Sequence, residues 1–205
     1  MTATGGRGLR VDAARNYERI IAAADEAFED VGRAVTLEEV ARRAGVGVAT
    51  VYRRFRNRDQ LLRAVFDHLV STEIVPQVAR ETGDPWHDLV GALEATVAAL
   101  AGRQVILALA RETDAFQAAG VHRYLESMER LLARARDAGV VRPELDRRDL
   151  SAVIVMALAT VHPEDPAGLD RRRYLALLVD GLRPAPGVLP PLGAGGGHAS
   201  AASLQ

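Results

Sequence analysis

Thr36–Leu62, TLEEVARRAGVGVATVYRRFRNRDQLL, is the stretch on which the fold turns. Thr36 is a good N-cap, because its hydroxyl can accept from a free N–H of the first helical turn. Glu39, three residues on, completes a T-x-x-E capping box. The helix that follows, about Leu37 to Ala44, places Leu37, Val40, Ala41 and Ala44 at i, i+3, i+4, i+7 spacing and so on one buried face. Gly45 stands where a helix ends in a left-handed residue, a conformation glycine adopts without steric cost. A second helix starts near Gly47–Val48, with Val51 and Phe55 one turn apart and turned toward the core. Asn57 is an N-cap for a third helix beginning at Arg58.

The outward face of the second helix carries Val48, Ala49, Thr50, Tyr52, Arg53 and Arg54. Small residues at its start let the backbone approach the edges of a DNA groove, and apolar groups there can touch a thymine methyl. Thr50 can bond a base or a phosphate, Tyr52 offers a hydroxyl to a phosphate, and Arg53 and Arg54 reach phosphates or guanine. Arg58 opposes the dipole at its own helix start, and a nearby phosphate would account for that. A solvated surface is the ordinary fate of an arginine-rich helix face. Here the cap, the glycine turn, the two inward anchors and the basic face agree on a DNA-reading helix-turn-helix.

Ala14–Gly32, ARNYERIIAAADEAFEDVG, followed by the stretch from Thr36 to Phe66, resembles the DNA-binding domain of TetR-family transcriptional regulators. The likeness covers about Asn16 to Phe66. It rests on a long first helix ending near a glycine, a Thr-led second helix, a G-V-x-x-x-T-[LV]-Y helix, and F-x-[ND]-[KR]-[ED]-x-L. The resemblance implies that Thr36, Leu37, Val48, Thr50, Tyr52, Arg53, Arg54 and Arg58 fall at DNA-contact positions. Arg58 stands where lysine is frequent, and Arg53–Arg54 where an aromatic residue and a histidine are common. The base preference therefore cannot be copied from a relative. Further on, Ala138–Leu158 and Arg171–Arg183 are similar to the C-terminal part of one branch of these regulators. That similarity implies homodimerisation through the last two helices, about 147–161 and 170–182, and binding to a palindromic double-stranded DNA operator.

Charge is distributed to suit such a head. Residues 1–66 hold 12 Arg against 9 Asp and Glu, a charge of +3, while residues 67–205 hold 14 against 18, a charge of −4. From Arg53 to Arg63 there are five arginines and one acid, so the positive field is local. All 26 basic residues are arginine, so the choice of arginine over lysine carries no information at any one site. The chain has no cysteine, which excludes disulfides and thiolate zinc sites and fits a reducing cytoplasm. No apolar run reaches 18 residues and the N-terminus lacks an apolar leader core, so neither a membrane span nor a signal peptide is expected.

The expected architecture is all-α, with about nine helices. Residues 1–12 form a flexible arm whose Arg7 and Arg10 could reach a minor groove, or simply a solvated tail. Residues 13–57 form a three-helix helix-turn-helix domain, and 58–183 a helical effector-binding and dimerisation domain. Residues 184–205 are Pro/Gly/Ala-rich and read as a disordered tail. Pro76 and Thr82–Pro85 are breaks; Asp84 and Asp146 are caps, with Pro85 at the first position of its helix. SAVIVMALATV, Ser151–Val161, is apolar nearly all round, as a helix buried on both sides would be.

The family resemblance also implies a small-molecule pocket among the middle helices. Trp86, Leu89, Leu93, Val97, Leu107, Phe116, Tyr124 and Met128 are its candidate walls, and each would serve equally as ordinary core. Aromatic residues total only 4%, so a mainly apolar ligand is expected rather than an aromatic cage. His68, His87, His122 and His162 are scattered without metal-ligand spacing, and no metal or cofactor is expected. No nucleophile elbow, P-loop or dinucleotide fingerprint is present, so the chain does not read as an enzyme. The leading expectation is a homodimeric repressor released from its operator by a ligand. The alternatives are a regulator without an effector, or an interaction module whose helix-turn-helix no longer binds DNA.

Overall fold

The computed structural model describes residues 5–162, 164–165 and 167–193. The described chain is all-helical: α1 (Gly5–Val31), α2 (Leu37–Ala44), α3 (Val48–Arg54), α4 (Arg58–Leu69), α5 (Val75–Val78), α6 (Pro85–Ala101), α7 (Gln104–Arg111), α8 (Ala119–Asp137), α9 (Arg147–Leu158) and α10 (Leu169–Asp180). α4 and α5 are one rod, joined by a π-helical turn at Val70–Ile74. The described residues thus build nine rods.

The head is α1–α3 with the first half of α4. Ile20, Ala24, Ala27 and Phe28 on α1 meet Val40 and Ala41 of α2, Val51 of α3 and Leu61, Leu62 and Val65 of α4, all buried. Phe28 is fully buried, and its removal from water contributes roughly 1.5–3 kcal/mol. The body is α6–α10 around the lower half of the α4–α5 rod. α6 and α7 meet at 96°, which folds two apolar helices back into one core. Among the described residues no single helix is long and apolar enough to cross a membrane.

Three expectations about element limits are corrected. The first helix begins at Gly5, not near Ala13, so the described part of the expected arm is helical. Nothing between Arg10 and Ala13 stops a helix from running back in that direction. Residues 1–4 and the side chains of Arg7 and Arg10 lie outside the described residues. Second, Pro76 does not end the connecting helix. Its ring excludes the carbonyl four residues back, and the widened turn just before it absorbs the mismatch so that the rod runs on to Val78. Third, residues 184–193 are irregular but held. Arg142 donates to the Gly187 carbonyl at 2.6 Å, Arg148 to the Gly193 carbonyl at 3.2 Å, and the Leu189 N–H to Glu144 at 3.1 Å. The remainder of that tail, 194–205, lies outside the described residues.

Helix starts follow the caps read from the sequence. Asp84 accepts from the N–H groups of Trp86 and His87, and Asp146 forms a reciprocal capping box with Asp149. One close approach fixes how the rod meets α8. Gly120 donates its N–H to Asp67 at 2.6 Å, and a Cβ there would lie 2.4 Å from the Ser71 hydroxyl and 3.1 Å from the Asp67 carbonyl, so a larger residue would require Ser71 and Asp67 to shift.

Candidate nucleic-acid interface and effector cavity

The turn between α2 and α3 is built as its residue types require. Thr36 caps α2 by accepting from the Glu39 N–H at 3.2 Å. Gly45 ends the helix at φ +63°, and its carbonyl accepts from Arg19 at 3.0 Å. A Cβ at Gly45 would sit 2.7 Å from that guanidinium, which can swing aside, so it is the left-handed conformation that calls for glycine. The second half of the expected capping box is absent. Glu39 turns to Arg42 at 2.6 Å and Arg43 at 2.8 Å instead, because two guanidiniums are stronger donors than one backbone N–H. Those hydrogen bonds hold the Glu39 carboxyl down at about 2.

α3 is anchored as expected, with Val51 and Phe55 buried and Phe55 stacked on Tyr17 at 6.3 Å. Val48, Ala49, Tyr52 and Arg53 are exposed and Thr50 is half-buried at the edge of the same face. Arg53 donates to the Thr50 hydroxyl at 3.1 Å, which aligns the two along one side of the helix. The Tyr52 hydroxyl donates to Glu38 at 2.6 Å, tying α3 to the first turn of α2. That bond lowers the Glu38 carboxyl and raises the Tyr52 phenol. A phosphate reaching Tyr52 must displace Glu38.

Three of the eight expected contact residues have partners within the protein, although Arg54 is exposed. The Leu37 side chain is core, only 5% exposed, because it belongs to the buried stripe of α2; its first-turn N–H has no partner within the helix. Arg54 lies over the Tyr17 ring, 4.7 Å from its centre, a cation–π contact that draws it back to α1. Arg58 is half-buried, donating to the Arg33 carbonyl at 2.6 Å and to Asp59 at 3.2 Å. Its place at a helix start is thus explained by an acceptor at the end of α1 and a neighbouring carboxylate.

The head is bolted to the body by polar ties. Arg103, just before α7, reaches Asp25 on α1 at 3.3 Å and Glu73 in the π-helical turn at 2.7 Å. The Ile106 N–H at the start of α7 donates to Glu29 on α1 at 3.0 Å. Ion pairs Arg33–Glu112 and Arg63–Asp114 flank these ties.

Inside the body is a cavity of about 240 Å³. The rod contributes Phe66, Val70 and Ile74; α6 gives Thr96 and Leu100; α7 gives Leu107 and Arg111. Phe116 closes one side, with Val121, Tyr124 and Leu125 from α8 and Ser151, Ile154, Val155 and Leu158 from α9. Of the eight residues expected here, Leu107, Phe116 and Tyr124 line it. Leu89, Leu93, Val97 and Met128 are corrected to plain core, buried on other faces of α6 and α8. Trp86 is at the surface under Arg183, whose guanidinium lies 3.9 Å from the ring centre. The missed walls on the rod had a signal: Phe66, Val70 and Ile74 recur every four residues, a second apolar stripe beside the one facing the head.

The outer side of α9 and α10 is apolar and uncovered. Val155, Met156, Tyr174 and Leu177 are exposed, Leu177 to 64%. Among the described residues no cluster of His, Asp or Glu is suited to a metal ion.

A three-helix head with an exposed recognition helix, set on a helical body with a cavity, is the architecture of a one-component DNA-binding regulator. Comparison with known proteins makes this specific. Residues 20–65 match the family model described as bacterial regulatory proteins, tetR family, and residues 84–184 match the C-terminal domain of SbtR-like transcriptional regulators. The chain is 30% identical to a TetR transcription regulatory protein from Mycobacterium vanbaalenii, over 85% of this chain and 99% of that one, with a TM-score of 0.61. It is 27% identical to the TetR transcriptional regulator SCO0520 from Streptomyces coelicolor, over 82% and 98%, with a TM-score of 0.60. PfmR from Thermus thermophilus, a TetR-family regulator, shares the fold at 22% identity over 81% and 100%, TM-score 0.61. No curated protein matches the chain. The chain belongs to the TetR family of transcriptional regulators: it is a DNA-binding regulator of transcription and not an enzyme.

Proposed function

We propose that the chain acts as a homodimeric repressor, released from a palindromic operator when a small apolar molecule enters the body. The observation that carries this reading is the α4–α5 rod. Its first turn follows α3 directly, and its Phe66, Val70 and Ile74 line the cavity, so one element touches both sites. A ligand that prefers a different setting of the rod shifts the head by its differential affinity for the two settings. Glu73 extends the link, because it sits between two cavity-lining residues and holds Arg103, which holds Asp25 on α1.

Dimerisation is supported by the uncovered apolar face of α9 and α10, for which a second copy is the self-complementary partner. A two-fold axis there presents two α3 helices to two half-sites, and the operator is then a palindrome with half-sites one helical turn or more apart. Val48, Ala49, Thr50, Tyr52 and Arg53 form the reading face; Thr36 and the Leu37 N–H approach the flanking backbone. Arg54 and Arg58 reach phosphates only by leaving their present partners. Such a regulator works where the chromosome is, in the cytoplasm.

The test is a gel shift and footprint on DNA flanking the chain's own gene. A two-fold footprint that weakens with Arg53→Ala supports the reading. Undetectable binding at low salt sinks it, as does binding indifferent to Arg53→Ala together with Tyr52→Phe.

A further inference from the structure

The cavity is lined almost entirely by carbon, with one buried polar group out of place. The Tyr124 hydroxyl is closed off from solvent and has no hydrogen-bond partner among the described residues. Thr96 lies beside it: that hydroxyl donates to the Ala92 carbonyl at 2.7 Å, and its oxygen offers Tyr124 only a weak contact that falls short of a well-formed hydrogen bond. Burial pushes the Tyr124 phenol up to about 12, against a smaller opposite effect of Thr96, so the group is a proton donor throughout the neutral range. Buried donors left unpaired are rare and costly, and a site that keeps one is matched to an acceptor that arrives from outside.

The charge of that acceptor follows from its surroundings. Arg111 is the one ionic side chain among the described lining residues, and it is exposed, so it stands at the rim. A carboxylate brought to Tyr124 would be buried without a cation, which one hydroxyl does not offset. A neutral carbonyl oxygen needs only the single donor present. Size sets the rest. An apolar cavity of about 150 Å³ accommodates benzene, so about 240 Å³ admits one ring with a short substituent, or a chain of like bulk.

We propose that the cavity takes a small neutral carbonyl compound, with an apolar body against Val70, Ile74 and Leu107 and its oxygen accepting from Tyr124. This rests on reading the cavity as the effector site, and adds the chemical class of what enters it. The experiment is calorimetric titration of the full chain with three probes built on one ring: acetophenone, ethylbenzene and benzoate. Acetophenone should bind about ten-fold more tightly than ethylbenzene, the difference one hydrogen bond makes, and benzoate should bind most weakly. Tyr124→Phe should bring acetophenone down to the level of ethylbenzene and leave ethylbenzene unchanged. The variant should melt no lower than the parent, because the buried hydroxyl it loses has only the weak Thr96 contact to offset its burial. Equal affinities for acetophenone and ethylbenzene, tightest binding of benzoate, no binding of any probe, or a lowered melting point of Tyr124→Phe each overturns the proposal. Gel shifts with the same probes separate the two readings: acetophenone that binds as expected but leaves DNA bound defeats the effector role and not the ligand class.

Discussion

In the head, the residues that make the site come from one unbroken stretch, Thr36 to Arg58; in the body, the cavity draws on residues from Phe66 to Leu158 across five helices. The polar groups differ as sharply. On the head, Tyr52 has Glu38, Arg53 has Thr50, and Arg58 has the Arg33 carbonyl. In the cavity the Tyr124 hydroxyl has no well-formed hydrogen bond, only the weak contact to Thr96. A surface that must meet a polyanion can keep its cations in weak, exposed partnerships and exchange them on contact at little cost. An apolar cavity offers no such exchange, and on the proposal above its one open valence sets what it would receive.

The largest expected effect breaks the contrast at the level of assembly. Leu177→Glu places a charge on the uncovered face of α10, where it costs a monomer almost nothing. Across a two-fold interface it would be buried against its own copy. Operator affinity should then fall by about 10² or more, as the second half-site ceases to be tethered, and sedimentation should read a monomer. An unchanged sedimentation coefficient removes α9–α10 as the interface.

Next comes the head itself. Arg53→Ala should cost roughly 1–3 kcal/mol at the operator if the contact is to a base, or flatten the salt dependence by about one unit if it is to a phosphate. Arg58→Ala should leave that slope unchanged, since the side chain is occupied within the protein, and lower the melting temperature instead. The reverse pattern, a changed slope for Arg58→Ala and none for Arg53→Ala, exchanges their roles.

The difference between head and body also explains what was legible beforehand. Caps, turn glycine and i, i+4 anchors are local, so Thr36, Gly45, Val51 and Phe55 were placed correctly from spacing alone. Two of the five helix starts in the body were equally local: Asp84 and Asp146 announce them. Which face of α6 or α8 meets the cavity depends on the crossing of several helices, and no spacing within one helix carries that. Leu93 and Leu100 are alike in sequence, yet one is core and the other is wall. Side-chain orientation failed for a related reason. Arg58 reads outward by position, but the Arg33 carbonyl, far back in the chain, draws it in, while Arg54 stays exposed beside the Tyr17 ring.

The connection between the two regions is open to a smaller but more discriminating test. Arg103→Ala removes the tie from Glu73 to Asp25 while touching neither α3 nor the cavity wall. Operator affinity without ligand should change less than the coupling between ligand and DNA. Coupling free energies are typically about 1–3 kcal/mol, so losing one of several ties should reduce release by several-fold. Full release by Arg103→Ala would mean that the rod alone transmits the signal.

The smallest effect concerns Glu38, the one carboxylate held against the reading face. It occupies the Tyr52 hydroxyl and sets a negative charge beside the approaching phosphates. Glu38→Gln keeps an acceptor for Tyr52 and removes the charge, so α3 stays tied to α2. Repulsion between an exposed carboxylate and a phosphate is weak in water and weaker still in salt, so the expected gain is an increase of a few-fold in DNA affinity at low salt. The gain should apply to unrelated DNA as much as to the operator, and should fade as salt rises, because it is a field effect and carries no sequence information. Glu38→Ala differs in one respect: it also frees Tyr52. If that hydroxyl then bonds a phosphate, Glu38→Ala should bind more tightly than Glu38→Gln, and Tyr52→Phe should abolish the difference between them. Equal affinities for the two variants would mean that Tyr52 serves to dock α3 on α2 and never reaches the DNA.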